Sequence, residues 1–130
     1  MPAEARQYVG VPWLHQGRDP RFGLDCVGLV VRYVTARGYV VKDRSNYGRD
    51  PDGSLVVELR RLFGEPTSNP RPGDVVVMAY AAKLPRHVGI LSEFNGQPHL
   101  IHADSRQGKV VEHPIDARWR KRIVGAWRVA

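Results

Sequence analysis

The chain has 130 residues, 42% of them hydrophobic and 25% charged, with one cysteine and a formal net charge of +7. Length and composition exclude a disordered chain and suit one core, so a single domain over residues 1–130 is expected. A lone cysteine excludes an internal disulfide and a Cys-x-x-Cys zinc site, and no segment approaches the ~18 apolar residues of a membrane span.

The opening "MPAEARQYVG" has neither the basic head nor the apolar stretch of a secretory signal, so synthesis in the cytoplasm as a soluble protein is expected. It reads as a short helix closed by Gly10. "VPWLHQGRDPRFGL" is too rich in Gly, Pro and charge to continue it and forms a loop. From Cys26, "CVGLVVRYVTARG" repeats its apolar residues at helical spacing, with Asp25 as N-cap and Gly38 as stop. Its valines make strand a competitor, but the run is longer than a usual buried strand and places Arg32, Thr35 and Arg37 on an outward arc. "SLVVELRRLFG" is a second amphipathic helix ended by Gly64.

After "EPTSNPRPG" the texture becomes an antiparallel meander: "DVVVMAY", "HVGILSEF", "PHLIHAD", "KVVEHPI" and "RIVGAWRV", with a turn at Asn95-Gly96. Helices followed by strands make an α+β domain. Twenty Lys and Arg against thirteen Asp and Glu draw the surface to polyanions. The basic cluster "ARWRKRIVGAWR" reads as the solvated face of an edge strand, and no nucleic-acid motif accompanies it.

Cys26 falls in the first turn of its helix, where unpaired N–H groups and the dipole favour a thiolate, although simple burial of a free cysteine gives the same placement. A two-residue turn at Asn95-Gly96 pairs Gly89 with His102 and His87 with Asp104, so His87 and His102 become diagonal neighbours on one face. His99 falls on the other face, and Gly89 leaves room beside His102. A cysteine at a helix head, a histidine to take its proton and a third polar group to orient that histidine form the logic of a cysteine hydrolase. Asp104 competes with His102 for the orienting role. Cys26, His87 and His102 could also hold zinc, but no local ligand spacing marks such a site, so no metal and no cofactor is expected. His113 reads as a surface histidine without a role, and His15 is harder to dismiss because it lies in the loop before Cys26.

Four blocks in order resemble the NlpC-type cell-wall cysteine peptidases, in particular the short versions encoded with phage tails and gene-transfer particles. "YVGVPWLHQGRDPRFGLDCVGLV" resembles the family's opening block, "RPGDVVVM" its Pro-Gly-Asp lead into the sheet, "RHVGIL" its His-Val-Gly-Ile strand and "LIHAD" its second histidine strand. The resemblance implies a small papain-like α+β fold with the Cys26 helix packed on an antiparallel sheet. It also implies Cys26 as nucleophile, His87 as base and His102 as the residue that orients it. The implied reaction is hydrolysis of amide bonds in peptidoglycan stem peptides, often between D-glutamate and a diamino acid.

The chain departs from the family where Trp13 replaces a tyrosine, His15-Gln16-Gly17 replaces Trp-Gly-Gly and Val27 replaces a serine. An oxyanion site is therefore expected to rest on backbone N–H groups with help from His15 or Gln16. Without a signal or a wall-binding module, the domain is expected to reach the cell envelope on a virion tail or exported particle, with other tail proteins as partners. No nucleic-acid partner is expected, and nothing in the sequence assigns an oligomeric state. The alternatives are a non-catalytic tail assembly protein that retains the fold, a basic nucleic-acid-binding module, and thiol acyl-transfer chemistry on another substrate. The loop from Tyr39 to Gly53 and the insertion near Pro85 are expected to shape the groove.

Overall fold

The computed structural model describes residues 3–42, 54–80 and 85–129, without the side chains of residues 3, 85 and 86. Most of the stretch expected to shape the groove lies outside the described residues. In chain order the elements are α1 (Ala3–Arg6), β1 (Arg18–Asp19), β2 (Gly23–Leu24), α2 (Cys26–Ala36), α3 (Ser54–Phe63), β3 (Val75–Ala79), β4 (Pro85–Phe94), β5 (Gln97–Asp104), β6 (Lys109–Pro114), α4 (Ala117–Arg122) and β7 (Ile123–Trp127). Strands β3 to β7 form one antiparallel sheet in the order β6-β5-β4-β3-β7.

The valine-rich run from Cys26 is a helix because that geometry puts Leu29, Val30, Tyr33 and Val34 on one buried stripe and leaves Arg32 and Thr35 in water. Its start is set by Asp25, whose carboxylate accepts the Gly28 N–H at 2.8 Å. Gly38, at φ +96°, follows its end in the left-handed region that glycine adopts without strain. The Tyr33 hydroxyl donates to the Gly73 carbonyl at 2.7 Å and ties the helix to the lead-in of β3. Asp74, 1% exposed, accepts from the Arg71 N–H and from Arg128, so the Pro-Gly-Asp block joins the start of the sheet to the chain beyond β7.

The sheet is covered on both faces, which explains why all five residues of β3 are buried. Val75, Val77, Val88, Ile90, Ile101 and Ala103 pack on α2 and α3. Val76, Met78, Leu91, Leu100, Ile115 and Ala126 form a second core closed by Trp119 and Ile123. Strands β3 to β6 follow the expected meander, but β7 leaves it and returns to pair with the free edge of β3.

The basic cluster differs from expectation. Its first half is α4, a helix of six residues capped by Asp116, which accepts the Trp119 N–H at 3.0 Å. Only after Arg122 does the chain become the edge strand β7. A short helix carries no sustained periodicity, and the Asp116 cap is the one local signal for it.

Candidate active site

Cys26 opens α2 and is 7% exposed. The N–H groups of Val88, Val27 and Cys26 itself act on its sulfur and favour the anion, as a helix head should. Val88 immediately follows His87 in β4, so the thiol lies against the strand that carries the candidate base.

The cysteine is held in place through its predecessor. Asp25 accepts from the Gly28 N–H, from the Gln16 N–H at 2.9 Å and from the Arg18 guanidinium at 3.1 Å. One buried carboxylate thereby caps the helix and anchors the preceding loop. That loop is also laced to the β5–β6 turn, with the Trp13 N–H donating to the Gly108 carbonyl at 2.8 Å. Trp13 and His15 stack with ring centroids 6.4 Å apart. Gln16, expected to help an oxyanion site, uses its backbone N–H on Asp25.

The Asn95-Gly96 turn has the expected two-residue form, with φ of +53° and +77° and Phe94 paired to Gln97. The register that follows runs without a shift from Phe94 and Gln97 to Ile90 and Ile101. His87 and His102 therefore share a face, the one bearing Met78, Leu91 and Leu100, while His99 lies on the other. Their rings meet edge to face, with His87 Nε2 and His102 Nδ1 2.6 Å apart. Asp104, the rival for orienting His87, instead accepts the Arg106 N–H in the β5–β6 turn at 2.9 Å, and its charge acts on His87 only through space. Gly89 has the expected role: a Cβ there would lie 2.8 Å from Leu100 Cδ1 and 3.1 Å from His102 Cβ.

His113, expected as a surface histidine without a role, joins the histidine face instead. His102 Nε2 lies 2.8 Å from His113 Nε2, so three imidazoles form one chain, and Trp119 packs against both His102 and His113 with centroids 5.0 and 4.9 Å away. The signal was in the four residues Ser105–Gly108 between Asp104 and Lys109. That turn pairs His102 with Val111 and Leu100 with His113, which puts His113 on the histidine face. Among the described residues no cluster of His, Cys, Asp or Glu could hold a metal ion.

Burial decides the resting charges. It pushes the Cys26 thiol up to about 12, with the neighbouring Asp25 charge adding to it, against the helix-head N–H groups. Burial also lowers His87 to about 4 and His102 to about 2. The sequence left a helix-head thiolate and simple burial as alternatives; desolvation outweighs the helix-head contribution and favours the thiol and the neutral imidazoles. A raised thiol pKa leaves the protonated form dominant at neutral pH, so iodoacetamide alkylation of Cys26 should climb through about pH 9 without a plateau near pH 7. A plateau already present at neutrality would reveal a preformed thiolate–imidazolium pair.

A helix with the only cysteine at its head, laid on an antiparallel sheet whose strands carry the histidines, defines a small α+β domain. The chain belongs to the NlpC/P60 family, whose profile matches residues 10–128. Over 96% of its length it is 29% identical to the gamma-DL-glutamyl hydrolase of Bacillus subtilis, of which it spans 28%. Two solved structures share the fold. An NlpC/P60 family protein from Bacillus cereus superposes with TM-score 0.70 at 18% identity, over 96% of this chain and 37% of that one. The NlpC/p60 domain of the peptidoglycan hydrolase SagA gives 0.64 at 22% identity, over 97% and 93%.

Proposed function

We propose that the protein is a cysteine peptidase that hydrolyses amide bonds in peptidoglycan stem peptides, with Cys26 as nucleophile, His87 as base and His102 as its orienting partner. The observation that carries this reading is the pairing of His87 Nε2 with His102, which leaves Nδ1 as the free ring nitrogen of a histidine whose strand neighbour Val88 binds the Cys26 sulfur through its N–H. His87 takes the Cys26 proton as sulfur attacks the scissile carbonyl, in keeping with burial favouring the neutral form of both groups. Backbone N–H groups at the head of α2 meet the developing oxyanion. His87 then protonates the leaving amine, and the C–N bond breaks to leave a thioester. Water, deprotonated by His87, releases the acid and restores the thiol.

The γ-linked bond between D-glutamate and a diamino acid is the proposed target, supported by the name of the B. subtilis relative. The charge of +7 favours an anionic wall or γ-glutamyl chain. Delivery to the envelope on a phage tail or related particle is part of the proposal, resting on the resemblance to the short tail-encoded versions. Incubation with the stem tetrapeptide L-Ala-γ-D-Glu-diaminopimelate-D-Ala, and separately with a γ-linked glutamyl oligomer, tests the chemistry by mass spectrometry. Release of L-Ala-D-Glu supports the wall reading. Cleavage of the oligomer alone would move the substrate to γ-glutamyl chains, and intact substrates in both would favour a non-catalytic role.

A further inference from the structure

We infer that His113 is a positioning residue that sets the proton arrangement of the whole histidine chain, so that His87 presents a bare Nδ1. This rests on the peptidase reading above only for its effect on turnover; the proton arrangement follows from the hydrogen bonds themselves.

His113 Nδ1 lies 2.8 Å from the Pro114 carbonyl oxygen, which can only accept, so the Nδ1 proton of His113 is fixed. A neutral His113 then has a lone pair at Nε2, and the proton shared with His102 belongs to His102 Nε2. His102 is 1% exposed and kept neutral by burial, so it has a single ring proton. Its Nδ1 must therefore accept, and His87 donates to it from Nε2. The Nδ1 of His87 is left as a lone pair. Two neutral imidazoles joined only to each other could be polarised in either direction; the carbonyl of Pro114 selects one of them through His113.

Packing holds the terminus in place. Trp119 packs its ring against both His102 and His113. The guanidinium of Arg122 sits 4.7 Å from the ring centroids of both Trp119 and Tyr80. The six-residue α4 is thereby fastened to the sheet over the histidines.

Nitrogen–proton correlation spectra of the imidazoles of the whole protein, at a pH where all three are neutral, test the arrangement directly. The wild type should show His113 protonated at Nδ1, and His102 and His87 protonated at Nε2. In His113→Leu the anchor is lost, and His102 and His87 should each populate both tautomers. With the stem peptide, kcat should fall on the order of tenfold or more while KM holds, as expected when a base spends time in the wrong tautomer. His113→Gln offers an amide oxygen to the same His102 N–H and should restore both the tautomers and kcat. A wild-type His113 protonated at Nε2 would overturn the proposal, as would a His113→Leu protein with unchanged tautomers and kcat. The predicted tautomers in a wild type without turnover would support the role of His113 while removing the peptidase reading.

Discussion

Cys26→Ala is expected to lower kcat/KM on the stem peptide by at least about a thousandfold, with the fold intact. The change removes one buried atom and inserts nothing, so Asp25 still caps the helix and the chain of imidazoles still closes on Pro114. What disappears is the only thiol in the chain. His87→Ala should cost a similar factor, since the thiol is pushed up to about 12 and needs a base to react at neutral pH. Residues acting in one proton transfer are not additive, so the double variant should be about as inactive as either single one. Steady-state rates of the three variants, with melting curves as controls, check this. A Cys26→Ala protein that retains substantial turnover would remove the thiol from the mechanism.

The second large effect is on stability. Gly28→Ala would put a Cβ 1.9 Å from the Gly17 carbonyl oxygen and 3.1 Å from its carbon. The obstruction is backbone rather than a flexible side-chain tip. Neither partner can easily move: the Gly28 N–H is bound to Asp25, and the Gly17 N–H is bound to the Leu14 carbonyl at 2.8 Å. Gly17 is itself confined, because a Cβ there would meet the Gly23 carbonyl at 2.3 Å. Overpacking at so constrained a contact should cost about 3 kcal/mol or more, a large share of the total for a domain of this size. The expected readout is a Tm lower by about 10 °C or more. Val57→Ala on the exposed side of α3, where the side chain is 70% exposed, should change stability by less than about 0.5 kcal/mol. If Gly28→Ala melted within a degree or two of the wild type, the tight contact between the cysteine loop and the head of α2 would be wrong.

Local chemistry was enough to locate α2, its Asp25 cap, the second helix before Gly64 and the strands from Val75 onward. Each is written in contiguous residues: a 3.6-residue apolar stripe, a capping carboxylate, an alternating run or a two-residue turn. The Asn95-Gly96 turn goes further. Its required left-handed angles fix the register of β4 against β5 and thereby bring His87 and His102 onto one face. The family blocks lie along the same stretches, so the α+β architecture was legible before any coordinates. α4 escaped because a six-residue helix has too few turns to show a period, and the return of β7 to β3 escaped because strand order is set by contacts across the whole sheet.

The sequence by itself determined which residues could do thiol chemistry, the helix head that presents Cys26 and the shared face of two histidines. Only the tertiary structure decided the rest. Whether Cys26 rests as thiol or thiolate depends on how far the fold removes it from water, and this desolvation outweighs the helix-head contribution visible locally. Whether His102 or Asp104 meets His87, and whether His113 joins them, depends on side-chain packing across three strands under Trp119. Those contacts join residues far apart in the chain, and their energies come from burial and hydrogen-bond geometry that no local pattern encodes.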